Sequence, residues 1–411
     1  MMKKVIFLVD MQSFFASVEK AKHYHNLNRP LVVSGDPTRR SGVILAACPL
    51  AKKSGIQNGE RLWEAEQKCP GLVTVPPHMQ EYIDNSIVIT EILESVTDLV
   101  EPYSIDEQFM DVTHSQKLFG DPYEIASYIQ HEIHSKLRVF ARVGIGENKV
   151  LAKMACDNFS KKNENGIFFL KKEELEDTLW PLPIEKLFRA GGKMSQHLRR
   201  RAIRTIGELA RTDVNKIKKE WGIHGQVLWM NAHGVDYSPI SLTSTNGQKA
   251  IGNGMTLPRD YSEKAEIKVV LLELCEEVCR RARLAQVMGQ TVSLGVSGAS
   301  YEIRTGFHRQ QKMAEPTNMT MEVFRYACDL LESFWDREPI RRLHVSLSSL
   351  HSDQTIQLSL FEEQRGENIQ LGYVTDELVK KYGKTAVIRA ASLLPASQVK
   401  ERSAKIGGHY K

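Results

Sequence analysis

Leu99-Val-Glu-Pro-Tyr-Ser-Ile-Asp-Glu-Gln-Phe-Met-Asp111 is the stretch on which the reading of this chain turns. Leu99 and Val100 lead in and Phe109 and Val112 lead out, so it reads as a strand interrupted where Asp106 and Glu107 sit side by side. Adjacent carboxylates repel, and burying an uncompensated charge costs several kcal/mol. A cation holds such acids together economically, and oxygen ligands suit Mg²⁺. A third acid ends Val5-Ile-Phe-Leu-Val-Asp10, a short and wholly apolar strand. A strand of that kind is buried on both faces, so Asp10 should emerge at the end of a sheet. If the two strands are neighbours, Asp10, Asp106 and Glu107 converge at one sheet edge. The alternative is that Asp106-Glu107 is merely a solvated hairpin turn.

The 411 residues suffice for two to four domains, and 42% hydrophobic with 26% charged residues is an ordinary globular composition. Charge is unevenly spread: residues 81–116 hold nine acids and no Lys or Arg, whereas 191–219 hold nine Lys or Arg against Glu208 and Asp213. An acidic sector followed by a basic one suits a cation site beside a polyanion-binding surface, although solvated helix faces give similar runs. The six cysteines form no CxxC pair and no zinc spacing, and free thiols point to a reducing compartment. Only five apolar residues precede Asp10, too few for a signal peptide, and no stretch approaches the ~20 of a membrane span. A cytoplasmic protein is expected.

After Asp10, Met11–Glu19 reads as a turn into a short helix on which Phe14 and Phe15 face different ways, so at most one is plainly core. Leu31–Val33 and Val43–Leu45 read as strands about a polar turn, followed by Lys52, Lys53 and Arg61 in a Gly-punctuated segment. Residues 80–98 read as a helix with Ile83, Ile87, Thr90 or Glu91, and Leu93 near one face. Asp121-Pro122 is an N-cap with proline in the first turn, and Ile125, Ile129, Ile133 and Leu137 follow at four-residue spacing. His131 and His134 lack zinc-helix spacing and read as exposed. Gly144-Ile-Gly146 closes a strand before helix 148–159, and alone is weak as a phosphate loop. Residues 1–18 and 78–170 therefore run βαββαβ, the ferredoxin-like order, with 20–77 inserted.

Residues 184–212 read as two short helices about a Gly191-Gly192 turn, with a third beginning near Thr205. Backbone amides at Gly191, Gly192 and Lys193 could bind a phosphate without reading sequence, and the arginines at 199–204 support that over a purely structural hairpin. Residues 237–248 are a Ser/Thr/Asn/Gly linker. Residues 249–350 repeat strand–helix–strand twice, an α+β domain with an open sheet carrying Arg304, His308, Arg309 and Lys312 along one strand.

Asp10-Met-Gln-Ser-Phe-Phe, Tyr103-Ser-Ile-Asp-Glu, Val143-Gly-Ile-Gly-Glu-Asn-Lys-Val-Leu-Ala-Lys and the hairpin 187–209 resemble the Y-family DNA polymerases, in particular their bacterial UmuC/UvrX branch. Ala386–Leu394 and Ile406-Gly-Gly-His409 resemble that branch's C-terminal tail, so the likeness spans the chain. It implies a right-hand polymerase. The ferredoxin-like palm would comprise 1–19 and 78–170, with fingers 20–77 and a helix-hairpin-helix thumb 171–236. The linker 237–248, an α+β little finger 249–350 and a tail 351–411 would complete it. By this resemblance Asp10, Asp106 and Glu107 hold two Mg²⁺ with the Met11 carbonyl as a further ligand. Phe15 is the steric gate, with Phe14 beside it at the nucleotide, and Lys52 and either Lys161 or Lys162 reach the triphosphate. Gly191–Lys193, Arg304 and Arg309 fall on the DNA-binding surfaces. The chain departs from the pattern at Gln12, often an acid, at Pro49, often a tyrosine, and at Lys52, usually an arginine whose bidentate fork is lost. Arg189 stands where glycine is common.

Chemistry and resemblance together imply low-fidelity templated DNA synthesis past damaged bases. One Mg²⁺ would activate the primer 3′-hydroxyl and the other stabilise the leaving pyrophosphate. No further stretch of spaced acids suggests a proofreading exonuclease. Primed template DNA and deoxynucleoside triphosphates are the partners, the chain acting as a monomer. A two-metal nuclease would use the same acids but has no need of an aromatic gate or triphosphate-binding lysines. A non-catalytic DNA-binding factor would have no need of three acids. Finally, Gln357-Leu-Ser-Leu-Phe361 resembles the short peptide with which bacterial polymerases bind the sliding clamp, Gln357 at the rim and Leu358, Leu360 and Phe361 as apolar anchors. The alternative is a last edge strand.

Overall fold

The apolar run at the N-terminus becomes the centre of a sheet. In the computed structural model, which describes residues 3–23, 26–36, 42–241, 248–300, 305–354 and 365–410, strand β1 (Ile6–Met11) is buried at all six positions. Contacts gather the chain into two compact units, one of residues 1–35 with 42–244 and one of 245–411.

In the first unit, β2 (Leu31–Ser34), β3 (Ile44–Ala47) and β4 (Val73–Val75) form a small sheet in the order β3-β2-β4. The expected polar turn between the first two falls partly outside the described residues. The main sheet adds β5 (Val100–Pro102), β6 (Glu107–Asp111), β7 (Ala141–Gly146) and β8 (Ile167–Phe169) to β1, in the order β5-β6-β1-β7-β8. β1 is antiparallel to both β6 and β7. With helices Met79–Glu94 and Pro122–Leu137 between strands, this is the expected split βαββαβ order, extended by the parallel edge strand β8.

Alternation along β1 divides two cores. Val5, Phe7 and Val9 pack with Tyr82, Ile89, Ile92 and Leu93 of the 79–94 helix and with Ile125, Ile129 and Ile133. The periodicity expected over 122–137 is therefore present. On 79–94 Leu93 is buried as expected, but the rest of the buried face is Tyr82, Ile89 and Ile92, and Ile87 is exposed. Ile6 and Leu8 point the other way, to Ala152 and Cys156 of helix Lys149–Asn158. That helix lies close because β7 carries no side chains beneath it. A Cβ on Gly144 would stand 2.2 Å from the Ala152 carbonyl oxygen, and one on Gly146 2.5 Å from Leu151 Cβ. The Gly-x-Gly pair thus serves helix–sheet packing. Asn148 caps the helix, its side chain accepting from the Leu151 N–H at 2.9 Å. His134, expected to be exposed, is half-buried and stacks on Phe140.

Beyond the sheet, helices Gly192–Arg200, Ile206–Arg211 and Val214–Ala232 surround a core of Leu187, Leu198, Ile206, Leu209 and Leu228. The first helix expected there is a single 3₁₀ turn, Ile184–Lys186. Arg189 holds φ 70°, the left-handed conformation for which glycine is suited.

The second unit has strands β9 (Ala250–Tyr261), β10 (Val287–Gly298), β11 (Gly306–Thr317) and β12 (Ile340–Ser352), in the order β11-β10-β12-β9. Helices Lys264–Leu284 and Thr320–Phe334 cover one face. The described part of the tail expected at 351–411 is built onto this domain. Helix Arg365–Tyr382 is held where Asp376 receives both Arg283 nitrogens, Nε at 2.6 Å and Nη2 at 2.9 Å. Further on, Ala396 enters the core, its carbonyl accepting from Tyr261 Oη at 3.0 Å, and Ser397 Oγ donates to Glu273 at 2.6 Å. Among the described residues, no helix is long and apolar enough to cross a membrane.

Candidate active site

Strand register brings two of the three expected acids together. β1 pairs with β6 so that Asp10 lies opposite Glu107. Both project to the side of Leu8 and Phe109, facing the 149–158 helix. The two carboxyl groups hydrogen-bond each other, and Asp10 is only 5% exposed. That helix supplies a third acid absent from the sequence reading: oxygens of Asp10, Glu107 and Asp157 lie within 4.8 Å of one another.

Two lysines from the same stretch neutralise the cluster. Lys153 Nζ sits 2.7 Å from Glu107 Oε1 and 3.1 Å from Asp157 Oδ2. Lys161 Nζ sits 2.8 Å from Asp10 Oδ2 and 2.8 Å from Asp157 Oδ1. Burial pushes the Asp10 carboxyl up to about 8, with the hydrogen bond to Glu107 adding to it and Lys161 opposing. Burial works against Glu107 as well, but hydrogen bonds with Asp10 and Lys153 hold it below the ordinary carboxylate range. Burial also disfavours the Lys161 ammonium, yet Asp10 and Asp157 hold it charged far above neutrality. Lys153, Asp157 and Lys161 recur every four residues, the one signal by which sequence could have found this second half of the site.

The remaining expected residues divide. Asp106 does not join the cluster. It sits in the turn before β6, its Oδ1 accepting from Ser104 Oγ at 2.7 Å and its carbonyl accepting from the Met11 N–H at 2.9 Å. Asp106 precedes the strand, so the β1–β6 pairing sets only Glu107 opposite Asp10. Phe14 is 2% exposed, its side chain in the sheet core. Phe15, half-buried, packs against both the main core and that of the small sheet. Lys52 Nζ donates to Ser13 Oγ at 3.0 Å, and burial, then nearby Lys161, lowers its pKa. Pro49, in the first turn of that lysine's short helix, suits its position. Gln12 Oε1 accepts from Arg142 at 3.1 Å. Lys161, not Lys162, faces the acids. Gly191 and Gly192 start the 192–200 helix with Lys193 exposed beside them, and Arg309 lies exposed on β11. Arg304 and the peptide Gln357, Leu358, Leu360, Phe361 lie outside the described residues.

The impB/mucB/samB family matches residues 9–157, and its C-terminal domain matches 248–360. Proteins named DNA polymerase IV 2 from Halalkalibacterium halodurans and Bacillus subtilis are 61% and 60% identical over the full length of both chains. A solved Y-family DNA polymerase chimera, Dbh-Dpo4-Dbh, superposes with a TM-score of 0.70 at 24% identity, covering 84% of this chain and 98% of the other. The chain belongs to the Y-family DNA polymerases. A Bacillus subtilis relative named for UV-damage repair, UvrX, is 39% identical over 99% of this chain and 98% of its own. The α+β architecture expected from sequence is that of the family. Y-family polymerases use divalent metal ions, and the buried acidic cluster here fits that requirement. Its donors are all carboxylate oxygens, as a hard cation prefers, and a carboxyl as desolvated as Asp10 gains most from a cation beside it.

Proposed function

We propose that this chain is a template-directed DNA polymerase of low fidelity that copies past damaged bases and lacks proofreading. The observation that carries the reading is the Asp10–Glu107 pair, set across two strands, with Lys161 paired to Asp10 and Lys52 near both. A nuclease would need the acids but neither triphosphate-binding cations nor a gate.

Asp10, Asp106 and Glu107, with the Met11 carbonyl, would hold two Mg²⁺, Asp106 exchanging its Ser104 hydroxyl for an ion. When bound, such ions supply charge stabilisation to phosphoryl transfer. The chain's own residues do the positioning. Lys161 can leave Asp10 for the triphosphate while Asp157 keeps its amine near, and Lys52 adds a second point charge. Lys153 holds Glu107 in place, and the Phe15 ring would occupy the space of a ribose 2′-hydroxyl. Basic residues of the 171–236 segment (palm 1–19 and 78–170, fingers 20–77 and this thumb) and of the little finger, among them Lys193 and Arg309, would grip primed DNA through its backbone. The 357–361 peptide would dock on the sliding clamp, and the chain would act as a monomer.

Primer extension tests this directly. Asp106→Ala and Glu107→Gln should each abolish nucleotide addition while leaving affinity for primed template within about twofold, because phosphate contacts lie elsewhere. Wild-type extension by both variants would refute the assignment, and shortening of the primer would favour a nuclease.

A further inference from the structure

Glu19 is a buried acid that the polymerase mechanism leaves unused. It is fully buried, and it lies four residues after Phe15 on helix Phe14–Lys22, so both side chains project from one face. Across from them, His78 and Tyr82 are likewise four residues apart, the N-cap and first turn of the 79–94 helix. The two pairs interlock. Tyr82 Oη donates to Glu19 Oε1 at 2.6 Å, and His78 Nδ1 lies 2.8 Å from the same oxygen. The Phe15 and Tyr82 rings stack, centroids 4.3 Å apart and planes 12° from parallel. Outside this seam, Lys22 Nζ donates to Glu81 Oε1 at 2.6 Å.

Such an arrangement is costly if its only purpose is adhesion. Glu19 Oε2 has no hydrogen-bond partner, and a buried polar atom left unpaired is rare in native proteins. Apolar side chains would join the two helices at less expense. What a carboxyl adds is direction. It fixes the Tyr82 hydroxyl, and hence the plane of a ring that is itself fully buried. Phe15, only half-buried, then rests on a surface that cannot rotate away. Burial, and the bond to Glu19, hold the Tyr82 phenol above its ordinary pKa, so it remains a donor throughout the working pH range.

We propose that Glu19 is a positioning residue for sugar selection. Through Tyr82 it fixes the depth and plane of the Phe15 ring, and severing the Glu19–Tyr82 bond relaxes discrimination against ribonucleotides without disabling nucleotide transfer. The inference rests on Phe15 being the steric gate.

The experiment is single-nucleotide incorporation of dCTP and CTP opposite template guanine by the full chain and its variants Glu19→Ala, Glu19→Gln, Tyr82→Phe and Phe15→Ala. Glu19→Ala and Tyr82→Phe should lower the ratio of kcat/KM for dCTP over CTP about tenfold, mainly through a lower KM for CTP, with kcat for dCTP within about threefold of wild type. Glu19→Gln, which keeps an acceptor for the tyrosine, should remain near wild type. Phe15→Ala should lose more selectivity than any of them. If Glu19→Ala does not fold, Tyr82→Phe, which removes a single oxygen, decides alone. An unchanged ratio in folded Tyr82→Phe alongside lost selectivity in Phe15→Ala overturns the proposal and leaves the gate standing. Unchanged selectivity in folded, active Phe15→Ala overturns the gate itself, and this proposal with it.

Discussion

Gly144→Ala should damage both the stability and the chemistry of the first unit, by amounts that follow from where the new methyl would sit. Its Cβ would stand 2.2 Å from the Ala152 carbonyl oxygen, 2.4 Å from the Cys156 nitrogen and 2.7 Å from Cys156 Cβ. Ordinary contacts begin near 3.4 Å. Two of the three atoms are helix backbone and cannot rotate aside, so the 149–158 helix must back off β7 by about 1 Å. Overpacking of a rigid core costs ~1–3 kcal/mol, and opening the Ile6–Leu8–Ala152–Cys156 contact adds to it, so ~3–5 kcal/mol is expected. The same helix carries Lys153 and Asp157, and an ångström of displacement at a reacting site lowers turnover about 10²-fold. Urea unfolding followed by hydrogen exchange of β1 and β7 would read the first effect, and single-turnover extension the second. Gly191→Ala is the control for the stability measurement, because its Cβ would meet nothing within 4 Å. A Gly144→Ala protein within 0.5 kcal/mol of wild type, a margin about that of ordinary surface changes, would refute this account of the helix–sheet contact.

Other expectations are separate from it. Arg189→Gly should raise stability by ~0.5–1 kcal/mol by removing a side chain from a left-handed position, read as a higher urea midpoint; a lower midpoint would show that the Arg189–Phe188 ring contact outweighs the strain. Asp376→Asn leaves the buried Arg283 without its charge partner and should cost ~3–5 kcal/mol in the second unit, with amides of the 365–382 helix exchanging first; unaltered exchange there would show the pair to be dispensable. Changing Leu360 and Phe361 to Ala should leave clamp-free extension as it was and remove clamp-stimulated synthesis, whereas loss of clamp-free extension would point to a folded strand.

Features governed by local periodicity were legible in the sequence. The apolar run that stops at Asp10, the Asp121 cap and the four-residue rhythm of Ile125–Ile133 each specify their own element. Features that depend on which element faces which were harder to read. Asp106 and Glu107 are equivalent in a one-dimensional motif, and only the β1–β6 register separates them. Asp157 and Lys153 appear as an ordinary charged helix until Gly144 brings that helix against the sheet. Arg283 and Asp376 are 93 residues apart, and nothing local marks them as partners. The 79–94 helix has apolar residues on several faces and its neighbours choose which are buried, so Leu93 is enclosed and Ile87 is not.

The central place of β1 sets a condition on how the chain is made. Its pairing partners are β6, nearly 100 residues later, and β7, about 135 residues later. At 5–20 residues per second a ribosome delivers the second of these roughly 7–27 s after the first strand emerges. Until β6 emerges, Val5–Val9 has no strand to pair with, and it lacks its second neighbour until β7 follows; an unpaired apolar strand is a template for association with other chains. Residues 31–75 have their own small sheet and core, so they can close early and leave the N-terminal strand waiting beside a folded neighbour. Synthesis rate and chaperone supply should therefore affect the yield of this protein more than its final stability does.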